Sequence, residues 1–114
     1  MQWIDHHVLA QLGHDVGEAL LPHLISLFVE DSAMSLADMQ RATDRQDAEA
    51  LLLLAHTLKS VCATYGAQVS QQQAKALEAA CRQQNWHDIG IYLDALQRSV
   101  PESGQALQDY LLQT

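Results

Sequence analysis

The 114-residue sequence predicts an all-α fold: one domain, residues 1–114, built as an antiparallel up-down four-helix bundle with a short additional N-terminal helix. Three observations carry that expectation. Apolar residues recur at helical rather than strand spacing along most of the chain. Ala, Leu and Gln, all good helix formers, fill much of its length, against two Trp, three Tyr, one Phe and five Gly. No Pro/Gly/Ser-rich linker, repeat or low-complexity run divides it, so the 48% hydrophobic content serves a single core.

The first predicted helix covers roughly residues 5 to 12, with Asp5 as N-cap, Val8 and Leu12 on one face and Gly13 as its stop. It is too short to stand alone. A second segment runs from about Asp15 to Asp44, with Leu20, Leu24, Leu27, Phe28, Met34 and Met39 among its apolar positions. Pro22 either kinks it or marks a fresh start, because an interior proline costs ~3 kcal/mol. The third helix opens after Asp47, an N-cap with Glu49 in the electropositive first turn, and closes near Tyr65, where Gly66 is placed for a left-handed terminus. The fourth spans about Ala67 to Gln84. Asn85 then caps the fifth, with Asp88 three residues on, and Ile89, Leu93, Leu96, Val100, Leu107 and Leu111 continue one stripe. Pro101 bends that helix or splits it. Short connections favour antiparallel neighbours, with the first helix as a lid over one end.

Fourteen acidic residues against six basic give a formal charge of −8, which argues against a grip on nucleic acid phosphates or anionic lipid. Partners should be proteins. No apolar run approaches the ~20 residues of a membrane span, and no basic stretch leads into an apolar one at the start, so the expected location is the cytoplasm. Cys62 and Cys81 lack metal-type spacing and fall in apolar periodic stretches, as reduced, buried thiols would. His6, His7, His14, His23 and His87 form no HxxxH or HExxH pattern, and one His14/Glu18 pair is a weak metal signal. No phosphate-binding glycine loop is present, so self-phosphorylation from ATP is not expected.

The third helix carries the informative residues. With Leu51 at 0° and 100° per residue, Ala55, Leu58, Cys62 and Tyr65 fall within about 40° of it and form a core stripe. His56 lies near about 140°, Lys59 about 80°, Ala63 about 120° and Ser60 about 180°, so His56 should be accessible. Leu52 and Leu53, at about 100° and 200°, share its side. Four successive leucines cannot all face one core. A lone imidazole among Leu52, Leu53, Ser60 and Ala63 therefore reads as a docking surface, with Lys59 one turn away to meet incoming negative charge. A neutral imidazole is a competent nucleophile, and phosphoryl transfer asks mainly for positioning and charge neutralisation. Glu78 reads as a solvated residue or a local salt-bridge partner.

The run AHTLKSVCATYGA, Ala55 to Ala67, resembles the signature of histidine phosphotransfer domains, His-x-Leu-Lys-Gly-small-small followed by an apolar residue, Gly and Ala. His56, Leu58, Lys59, Cys62, Tyr65, Gly66 and Ala67 match it; Leu77-Glu78 matches the Leu-Glu common in the next helix, and Leu27 to Asp31 the stretch around a Phe in the second. Ser60 replaces the frequent Gly, which should narrow partner access, and Val61 replaces a small residue on the side away from His56. The resemblance implies that His56 accepts a phosphoryl group through Nε2, from one receiver aspartate and on to another, with Lys59 assisting electrostatically. It also implies that the partners are receiver domains of response regulators and hybrid sensor kinases, that the receiver supplies Mg²⁺, and that this chain is a phosphocarrier without kinase activity, without a cofactor of its own, and a monomer. Two other readings stay open: a helical adaptor that docks receivers without being phosphorylated, and the N-terminal phosphoacceptor module of a chemotaxis-type kinase.

Overall fold

The computed structural model describes residues 2–113, which form five helices and, among the described residues, no strand. These are α1 (His6–Val16), α2 (Leu21–Asp44), α3 (Ala48–Tyr65), α4 (Gln68–Arg82) and α5 (Trp86–Leu112). Helix α2 packs on α3 and α5, and α4 packs on the same two, so the long helices close a ring around one core. Helix α1 lies against α3 and α2.

The local signals work as their chemistry suggests. The Asp5 carboxylate accepts from the His7 and Val8 N–H groups, and Asp47 from Ala50 N–H at 3.0 Å. Asn85 Oδ1 accepts from Asp88 N–H at 3.1 Å, while its side-chain Nδ2 donates to the Asp88 carboxylate at 2.9 Å. Gly66 ends α3 at φ +72°, and a Cβ there would lie 2.8 Å from the Asp5 carbonyl oxygen. Only glycine serves there. The approach is close because Asp5 N–H donates to the Gly66 carbonyl at 2.7 Å, clipping the N-terminal segment onto the α3–α4 turn.

Several element boundaries differ from the sequence expectation. Helix α1 does not stop at Gly13, which is buried inside it under the Glu18 carboxylate; it ends at Val16, and Gly17 at φ +95° is the terminator. Nor does the second helix begin near Asp15. It starts at Leu21, with Pro22 in the first turn, where a missing N–H costs nothing, so the proline marks a fresh start. The buried line of α2 is Leu21, Ile25, Phe28, Ser32, Met39 and Ala42, while Leu20, Leu27 and Met34 stand exposed. Helix α5 runs through Pro101 without splitting. Between α4 and α5 the core contains a polar knot that apolar periodicity does not announce: the Ser70 hydroxyl meets those of Ser99 and Ser103 at 2.8 and 3.2 Å.

Candidate functional site

The rotation of α3 is fixed from its buried side. Leu51, Ala55, Leu58 and Cys62 are buried as the wheel requires. Tyr65 donates its hydroxyl to the Leu24 carbonyl at 2.9 Å and sets its ring 5.0 Å from Phe28. His56 is thereby turned outward, its side chain 59% exposed. Ser60 and Ala63 are exposed around it. Leu53, 65% exposed, is the outward leucine; Leu52 is half-buried against the core. The Ser60 hydroxyl donates to the His56 carbonyl and that of Thr64 to the Ser60 carbonyl, so both are occupied by the backbone.

What sequence reasoning missed is Glu78. This α4 carboxylate is buried, its side chain only 3% exposed, and it gathers three partners. His56 Nδ1 lies 2.7 Å from Oε2, Lys59 Nζ donates to Oε1 at 2.6 Å, and Arg82 donates to Oε2 at 3.1 Å. The sequence expected Glu78 to be solvated or in a local salt bridge; the i,i+4 pair with Arg82 is local, but the burial and the bonds to α3 are new. A signal existed: Glu78 falls about 40° from Ala74 on the α4 wheel, at the edge of the apolar stripe of Ala74, Leu77 and Cys81. Burial alone would favour the neutral acid. Here the Lys59 hydrogen bond, with the His56 bond and the charges of Lys59 and Arg82, overcomes burial and lowers the Glu78 pKa to about 2.

An ionised carboxylate can only accept, so the hydrogen between His56 and Glu78 resides on Nδ1. In the neutral ring Nε2 then carries the lone pair, on the side of the imidazole away from Glu78. Lys59 occupies a different place from the one expected: its ammonium is engaged with Glu78 rather than standing free beside the imidazole. His56 and Lys59 therefore meet at the same carboxylate.

The profile of the Hpt domain family matches residues 23–111, a span that contains all of α3 and α4 and hence His56, Lys59 and Glu78. The chain belongs to the Hpt domain family. Among solved structures, it is similar to histidine-containing phosphotransfer protein B from Pseudomonas aeruginosa PAO1, at 26% identity and a TM-score of 0.91, over 98% of this chain and 96% of that one. The HPT domain of a sensor hybrid histidine kinase from Shewanella shares the fold at 15% identity and a TM-score of 0.78, over 97% of this chain and 95% of that one. No curated protein matches the sequence. As an Hpt domain the chain has a histidine phosphotransfer role in a phosphorelay, and Hpt proteins are phosphocarriers rather than kinases.

Other reactive groups of this Hpt domain are set apart from such chemistry. Cys62 and Cys81 are buried free thiols, pushed up to about 12 and about 11 by burial, with the Glu78 charge adding at Cys81. Neither supplies a ready thiolate. Among the described residues no three His, Cys, Asp or Glu side chains are grouped to hold a metal, and no helix is long and apolar enough to cross a membrane.

Proposed function

We propose that His56 is the phosphoryl acceptor, that it reacts through Nε2, and that it exchanges the group with aspartates of receiver domains. The observation that supports this best is the Nδ1–H bond to Glu78, which leaves the outer nitrogen as the nucleophile of an exposed ring. In the forward step Nε2 attacks an aspartyl phosphate in line. The N–P bond forms as the acyl P–O bond breaks, and the receiver carboxylate leaves with the electron pair. Nδ1 keeps its hydrogen, so the phosphorylated ring acquires a positive charge directly beside the Glu78 carboxylate. Return to a second aspartate reverses each change. Lys59 acts electrostatically by holding that carboxylate ionised, and Mg²⁺ belongs to the receiver.

In this reading Leu53, Ser60 and Ala63, with the margin of Leu52, form the docking surface. Helices α2 to α5 run up and down as an antiparallel four-helix bundle, as the short links between packed neighbours favour. The domain works as a cytoplasmic monomer. Incubation with a phosphorylated receiver is the test. Wild-type protein should gain acid-labile, base-stable phosphate, and His56→Gln should gain none while keeping its helicity and melting temperature. Receiver binding with no phosphate gained would make the chain an adaptor, and labelling of His14 or His87 would reject the assignment.

A further inference from the structure

A groove of about 270 Å³ runs between α2 and α5, floored by Val29, Ala33 and Leu36 on one side and Val100, Pro101 and Gly104 on the other. It lies on a different flank from His56: α3 has α1, α2 and α4 as its neighbours and stands across the core from α5. The volume is below the ~300–1,000 Å³ of sites that engulf a cofactor, and suits a bulky side chain presented by another protein.

Charge selects the partner. Helix α2 carries Glu30, Asp31, Asp38 and Asp44 against Arg41, and α5 carries Asp88, Asp94, Glu102 and Asp109 against Arg98, so each has a net charge of −3. Together they account for −6 of the chain's −8, whereas residues 48–82, spanning α3 and α4, hold Glu49 and Glu78 against Lys59, Lys75 and Arg82, a net +1. The stretches that line the groove, 29–36 and 100–108, contain no Lys, Arg or His, and Glu30 and Glu102 stand exposed within them. Arg41 and Arg98, the cations of these two helices, are already paired with Asp38 and Asp94. A largely apolar floor between two helices of net negative charge, with the exposed Glu30 and Glu102 in the turns that flank it, matches one kind of ligand: an apolar stripe flanked by ammonium or guanidinium groups.

We propose that the α2–α5 groove docks a basic amphipathic helix of a partner protein, at a site separate from the His56 surface. The probe is a labelled 18-residue Leu/Lys peptide patterned as an amphipathic helix, titrated by fluorescence anisotropy against the whole domain. A scrambled peptide of equal charge serves as the control. Wild-type protein should prefer the patterned peptide at least 10-fold. Ala33→Trp, which fills the groove, and the pair Glu30→Lys with Glu102→Lys should each weaken binding about 10-fold or more without shifting the melting temperature. His56→Gln and Leu53→Asp should leave it unchanged. The proposal is overturned if the scrambled peptide binds equally well, if groove variants bind like wild type, or if Leu53→Asp abolishes binding. Sedimentation showing a wild-type dimer that Ala33→Trp dissociates would assign the groove to a second copy instead.

Discussion

His56 and Glu78 stand 22 residues apart in sequence and 2.7 Å apart in space, joined through Nδ1 and Oε2 across the α3–α4 interface. The bond gives an exposed ring a defined orientation without burying it, since the cost of burial falls on the carboxylate. It also makes the chemistry of one nitrogen depend on the other.

Glu78→Gln should disturb the tautomer before it disturbs the fold. A glutamine can donate to Nδ1 as well as accept from it, so ¹⁵N NMR should show His56 losing its preference for the Nδ1–H form. Transfer from a phosphorylated receiver should slow by about 10- to 100-fold, the weight of ~1.4 to 2.7 kcal/mol. Unchanged ¹⁵N shifts with unchanged kinetics would remove Glu78 from the reaction.

Lys59→Ala should slow transfer by about 10- to 1000-fold, equivalent to ~1.4 to 4 kcal/mol of lost charge stabilisation. Because Lys59 is the chief cause of the low Glu78 pKa, the same variant should raise that pKa, which carbonyl NMR can follow. Slow transfer without a titration shift would mean that Lys59 acts on the phosphoryl group directly.

Acid should expose the same network. The Glu78 pKa is depressed in the folded protein from 4.5 to about 2, so its contribution to stability is fully present above the unfolded value and is lost as pH falls through that window. Melting curves between pH 5 and 2 should show a steeper decline for wild type than for Glu78→Gln. Parallel declines would show that the ion cluster contributes nothing to folding.

The two sides of α3 should separate cleanly. Leu53→Asp should remain folded and weaken receiver binding, because it places a charge in an exposed apolar contact. Leu58→Asp should unfold the domain, since a buried unpaired carboxylate costs several kcal/mol against a total of ~5–15 kcal/mol. Circular dichroism melts and receiver affinity, measured together, decide whether the core and docking sides are assigned correctly.

Gly66→Ala should destabilise by about 1–3 kcal/mol, because its positive φ and the Asp5 carbonyl both exclude a methyl group. Urea melts measure this. Wild-type stability would show that the N-terminal clip yields easily.

The helices and the direction of His56 were legible because a stripe such as Leu51, Ala55, Leu58 and Cys62 states its own periodicity and local caps state their ends. Boundaries were harder where two glycines compete. Gly13 and Gly17 look alike in sequence, and the Glu18 carboxylate folded over Gly13 is a tertiary fact. The site was half legible for a related reason. A carboxylate in an apolar stripe is ambiguous until the helix beside it shows what it meets, and the groups that meet Glu78 come from α3. The core serines of α4 and α5 are likewise ordinary until they face each other.

The clip at Gly66 also equips the domain with a built-in pair of optical probes. Trp3 precedes Asp5 and is half-buried at the end of the molecule where α4 begins, whereas Trp86 opens α5 just beyond the end of α4. Helix α4, whose 15 residues rise roughly 22 Å, runs between these two ends. These are the chain's two tryptophans, so two single-tryptophan variants would report separately on release of the N-terminal segment and on melting of the opposite end.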